Sequence, residues 1–161
     1  MTVHGQTFTF HIFSARRDKL ADASSDYYVT LPYLSVIANS AQNRCQYYEL
    51  TLNRLSGLDN GTDFSPANQH TGFIQLALDF PAPFLVTNGA HQNVLFIVPL
   101  SDSMATQNTE GSYFQTSPVI IAGSGLRPTI HVQLYDDSGA VLNVAGPNDH
   151  VITMTLREIL P

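Results

Sequence analysis

The chain has 161 residues, the size of one domain and enough to bury a core without disulfide or metal staples. Charged residues make up 12% of it, against roughly 25% in an ordinary soluble domain, and the net charge is −6 with Lys19 the sole lysine. This excludes a clustered cationic surface for phosphate backbones, and with no apolar run of 18 residues it excludes a membrane-spanning helix, so neither direct nucleic-acid binding nor membrane insertion is expected.

The polar skin is left mostly to Ser, Thr, Asn and Gln, a composition that suits surface packed against other protein. Cys45 has no partner for an intrachain disulfide and no CxxC or neighbouring His, so it reads as a packed, inert thiol compatible with synthesis in a reducing compartment. Residues 1–6 lack a basic and then apolar opening, which predicts no signal peptide.

In chain order, residues 7–13 alternate with Phe8, Phe10 and Ile12 on one side, the period of a half-buried strand. Residues 14–25 are polar and read as a loop, with Arg16-Arg17-Asp18-Lys19 a solvated cluster partly neutralised by Asp18. A second strand over 26–31 puts Tyr27, Val29 and Leu31 on one face before Pro32; residues 33–37 fit either a strand or one helical turn. The longest strand, 45–55, places Tyr48, Leu50 and Leu52 together, opposite Tyr47, Glu49 and Thr51. Residues 56–71, with Gly57, Asn60-Gly61 and Pro66, form a long irregular connection of the kind that carries function.

Alternation resumes over 73–80 with Ile74, Leu76, Leu78 and Phe80 in phase. Residues 94–98 are apolar on both parities, which predicts a central strand covered on both sides and ended by Pro99. A second long loop spans 101–111, and residues 113–121 form a strand that Pro118 confines to an edge or a bulge. The closing ladder alternates Ile130, Val132 and Leu134, turns at Asp136-Asp137-Ser138-Gly139, adds a short strand at Val141, Leu142 and Val144, turns again at Gly146-Pro147-Asn148-Asp149, and ends with Ile152, Met154 and Leu156 in phase. About eight strands, no helix-period segment and long crossings predict an all-β antiparallel β-sandwich, a single eight-stranded jelly roll over residues 1–161. The rival, an immunoglobulin-like sandwich, lacks its strand Trp and Cys pair here.

Residues with catalytic or metal-binding chemistry are dispersed. Histidines stand at 4, 11, 70, 91, 131 and 150 with no HxH, HxxH or HExxH, and no GxSxG elbow occurs. His11 and His131 fall on the polar parity of their strands and read as exposed or hydrogen-bonded. Asp136-Asp137 reads as a hairpin turn rather than a calcium ligand pair, Asp59-Asn60-Gly61-Thr62-Asp63 lacks the Glu of an EF-hand, and Asn60-Gly61-Thr62 reads as an accidental glycosylation match. Tyr28, Tyr47 and Tyr135, on the exposed parity, are candidates for a sugar- or protein-binding surface or for cross-strand stabilising pairs. No catalytic, cofactor-binding or metal residue is assigned, and no enzyme activity or cofactor is expected.

Phe10-His11-Ile12-Phe13-Ser14-Ala15-Arg16-Arg17-Asp18 resembles the strand-then-SxxRD opening of small jelly-roll capsid proteins, the penton and minor capsid proteins of large icosahedral double-stranded DNA viruses and virophages. The run from Ile130 through Gly139, followed by Val151-Ile152-Thr153-Met154-Thr155-Leu156, is similar to their closing pattern. The resemblance implies a capsid component of the virion, made in the host cytoplasm, that self-associates, as a pentamer first of all, and meets other capsid proteins. A glycan- or receptor-binding jelly roll with its binding loop at 56–71 or 101–111 is the alternative, and a cupin-like enzyme a weaker third.

Overall fold

Period-two alternation becomes eight strands: β1 (Val3–Phe13), β2 (Asp26–Thr30), β3 (Tyr47–Ser56), β4 (Phe73–Leu78), β5 (Val94–Pro99), β6 (Val119–Ala122), β7 (Thr129–Tyr135) and β8 (Val151–Leu160). The structure is a computed structural model that describes residues 3–32, 34, 47–56, 73–99, 117–142 and 149–160. The long connections expected at 56–71 and 101–111, apart from Ser56 at the end of β3, lie outside the described residues. So do Cys45, Asp59 to Asp63, His70, Val144 and the turn at Gly146.

The strands form two antiparallel four-stranded sheets, in the orders β1-β8-β3-β6 and β2-β7-β4-β5. Each sheet turns one face inward, and Ile12, Tyr48, Leu50, Ile121, Ile152, Met154 and Leu156 of the first meet Tyr27, Ile74, Leu76, Leu78, Ile130, Val132 and Leu134 of the second in one buried cluster. The protein is therefore an all-β antiparallel sandwich. Among consecutive strands only β4 and β5 are neighbours; every other connection passes to the opposite sheet. The two halves of the closing ladder accordingly do not pair with each other: β7 lies between β2 and β4, β8 between β1 and β3, and they cover one another across the core.

Three bulges adjust which side chains point inward. In β3 the register with β8 shifts between Leu52 and Arg54, so Leu55, out of phase with Leu50 and Leu52, also reaches the core. In β1 it shifts between His4 and Thr7. In β5 the shift corrects an expectation. Leu76 faces Phe96 while Ala77 faces Val94, which leaves Leu95 as the extra residue and turns both Leu95 and Phe96 to the core. The apolar double parity of 94–98 thus reflects a bulge in an edge strand rather than a central strand, and Ile97 on the outer face is 50% exposed.

Pro118 directly precedes β6, itself the edge strand of its sheet, as the proline predicted. Of residues 33–37 the structure describes Leu34, whose N–H donates to Leu31 O at 3.0 Å in a helical turn. At 136–140 the expected turn forms: Asp136 Oδ1 accepts from the N–H of Ser138 (2.9 Å) and of Ala140 (3.0 Å), and Gly139 takes φ +90, open to glycine at little cost. Beyond it Val141 bridges to Tyr135 and the Leu142 N–H donates to Leu134 O at 2.8 Å, while the rest of the short strand expected there lies outside the described residues.

Candidate functional site

The SxxRD segment lies where β1 leaves one sheet for the other; Arg16, Asp18 and Lys19 are exposed as expected of a solvated cluster, whereas Arg17 is drawn into the fold. Arg17 is spread over the connection: Nε donates to Asp22 O (2.8 Å), Nη1 to Ser14 O (2.7 Å) and to Asp149 Oδ1 (3.2 Å), and Nη2 to Leu20 O (3.0 Å). Its side chain is only 14% exposed. Asp18 N–H donates to Tyr28 O, while its carboxylate accepts from Thr30 N–H (3.0 Å) and Thr30 Oγ1 (2.8 Å). Arg16 is exposed, with its guanidinium 5.9 Å over the Phe13 ring.

Beneath Arg17 a serine, a histidine and an aspartate meet. Buried Ser14 Oγ donates to Asp149 Oδ1 (2.9 Å) and accepts from His150 N–H (2.8 Å). A nucleophilic triad requires the imidazole on the serine oxygen. Here the His150 ring is hydrogen-bonded through Nε2 to Tyr27 Oη at 2.9 Å, and the serine faces the carboxylate. Burial lowers the His150 pKa to about 4, with Asp149 raising it and Arg17 lowering it. Burial likewise raises the Tyr27 hydroxyl. Both rings stay neutral at physiological pH, so this network ties the β1–β2 connection to the start of β8.

Two further histidines lie on the outer face of the β2-β7-β4-β5 sheet. His91 stacks on Tyr135 at 3.7 Å and is hydrogen-bonded through Nε2 to Gly139 O at 2.7 Å. Tyr135 is therefore buried together with Ala77 and Val94, which corrects its expected exposure. Burial raises its pKa, with a contribution from Asp26. His131 stacks on Tyr28 directly across the β2–β7 pair, with centroids 4.2 Å apart and planes at 9°, and its Nε2 lies 2.6 Å from Asp26 Oδ1. Asp79 Oδ1 accepts the His131 backbone N–H at 2.9 Å. Tyr28 is 47% exposed on an edge strand and shares its outer face with Asp26 and Thr30.

On the opposite outer face His11 meets Thr153 Oγ1 at 2.9 Å, Asn53 donates to Thr155, and Arg157 pairs with Glu49 at 3.1 Å. Tyr47 packs against exposed Phe84 at 5.5 Å. His11 and His131 are thus hydrogen-bonded, as their parity implied. Among the described residues no group of three or more His, Cys, Asp or Glu gathers as metal ligands, and no helix is long and apolar enough to cross a membrane. The Ser14–Asp149–His150–Tyr27 network was not anticipated from sequence, since its members carry no local motif.

The chain matches no protein-family model and no curated protein sequence.

Proposed function

We propose that this protein is a virion structural protein, a single jelly-roll capsid component of penton or minor-capsid type that assembles through protein–protein contacts. The observation that carries the reading is the pair of strand orders, β1-β8-β3-β6 and β2-β7-β4-β5, with connections that repeatedly change sheet. Such an eight-stranded double-sheet order supports a jelly roll, an architecture used by capsid, lectin and cupin domains. Among those three, the described histidines favour the non-enzymatic classes, since His11, His91, His131 and His150 are spread over two outer faces and the core, each engaged with a neighbouring side chain or carbonyl. The low charge favours assembly, because interface cores are depleted of charge.

In this reading the protein is made in the host cytoplasm and resides in the capsid. It meets copies of itself in a closed ring, a pentamer first of all, and other capsid proteins, with no direct contact to nucleic acid and no insertion into membrane. Sedimentation at micromolar concentration and moderate salt tests it: a ring of several subunits is expected, and a strict monomer removes the reading. The stacked Tyr28–His131 pair beside Asp26 favours a second reading, a glycan-binding module. A monomer that binds oligosaccharides on an array, and loses them in Tyr28→Ala, would establish that one instead.

A further inference from the structure

Four strands end the two sheets, and three of them are guarded. An unguarded edge is a row of unpaired N–H and C=O groups, which proteins blunt with charge, proline, bulges, shortness or a covering segment. On β2, Asp18 occupies Tyr28 O and Thr30 N–H. On β5, the Leu95 bulge interrupts the ladder and Pro99 removes a donor. β6 has four residues, begins after Pro118, and gives its Ala122 N–H to Pro81 O.

Among the described residues β1 has none of this over most of its length. It runs for 11 residues, VHGQTFTFHIF, with no proline, lysine, arginine or carboxylate. Its one irregularity is at the start, where Gln6 N–H donates to Glu158 Oε2 beside the bulge. From Thr7 to Phe13 its register with β8 is unbroken, and among the described residues nothing pairs with its outer side. Phe8 and Phe10, which point toward the core from this margin, remain only partly buried.

We propose that the outer edge of β1 is a self-association strand, to which a second copy of this chain adds its own β1 antiparallel about a two-fold axis at Thr9. Charge decides the occupant. The chain carries −6, yet its β1 has no fixed charge, so two copies meet along this strand without setting carboxylates opposite one another. The axis places Thr9 opposite Thr9 and Thr7 opposite His11 on the outer face, and it brings the half-covered Phe8 and Phe10 of both copies together on the inner side. The contact is isologous and closes at two subunits, so it is separate from the heterologous contact that a ring requires.

Directly opposed residues in an antiparallel pair have Cα atoms about 4.5–5.5 Å apart, inside the disulfide range. In a Cys45→Ser background, Thr9→Cys is expected to run as a disulfide-linked dimer under oxidising conditions, while Thr51→Cys, on the same outer face in the central strand β3, stays monomeric. Thr9→Lys, which sets like charges face to face, is expected to halve the sedimenting mass with the circular dichroism spectrum retained. Absence of the Thr9→Cys crosslink overturns the proposal. So does a mass that Thr9→Lys leaves unchanged; a ring that survives this way would leave the ring reading standing and remove the two-fold contact alone.

Discussion

Asp18 and Thr30 close the outer edge of β2: the Asp18 carboxylate accepts both the N–H and the Oγ1 hydrogen of Thr30, while its own N–H reaches Tyr28 O. One residue of a connection thus satisfies strand groups that would otherwise face water. Asp18→Ala frees the Thr30 donor and is expected to raise concentration-dependent association, read as a higher weight-average mass in sedimentation equilibrium. An unchanged mass across the concentration series would show that this edge needs no guard.

Leu134 is fully buried between the sheets. Leu134→Ala is expected to cost about 2–5 kcal/mol, the transfer and cavity terms together, measured by urea unfolding. A loss below about half a kcal/mol, the scale of surface changes, is incompatible with the packing described.

Arg17 ties three backbone carbonyls and Asp149 together from a nearly buried position. Hydrogen bonds to charged groups contribute about 1.5–3 kcal/mol each when intact, so Arg17→Ala is expected to lose about 2–3 kcal/mol and to speed amide exchange across residues 14–25. Lysine cannot span the same fork, so Arg17→Lys is expected to recover little of the loss.

His150 sets a pH dependence. Its folded pKa of about 4 lies below the ordinary 6.5, so the unfolded chain binds the extra proton between those values. Its neutral form therefore stabilises the fold fully above about pH 6.5, and that contribution is lost as pH falls toward 4. At about 1.4 kcal/mol per unit the whole effect is about 3 kcal/mol. Urea midpoints measured from pH 7.5 to 4 should fall accordingly, and His150→Gln should flatten that slope.

Gly139 holds φ +90, and its carbonyl is hydrogen-bonded to the His91 ring that stacks on Tyr135. Gly139→Ala is expected to cost about 1–2 kcal/mol from backbone strain, since the open space around its Cβ position, 3.8 Å or more from the nearest atoms, leaves no clash to add. Thermal unfolding measures it.

The sandwich was legible wherever alternation ran unbroken. Ile130, Val132, Leu134, Ile152, Met154 and Leu156 all face the core as their period implied. It failed at bulges, because one extra residue in β5 makes an edge strand look covered on both sides. Tyr135 was misjudged because its cover, His91, comes from another segment. The Ser14–Asp149 contact joins residues 135 positions apart, a distance over which no spacing rule operates. The SxxRD opening was visible as a pattern, but its work as a brace between sheets needed the geometry of Arg17 and Asp18.

The position of β8 has a consequence for biosynthesis. It lies between β1 and β3, though it comes after both in the chain. Val151 pairs with Phe13, so roughly 140 residues must be translated after β1 before its partner emerges, about 7–28 s at about 5–20 residues per second. For that interval β1, and from its own synthesis onward β3, wait without their shared neighbour. The length of that wait is therefore set by sheet order and not by chain length.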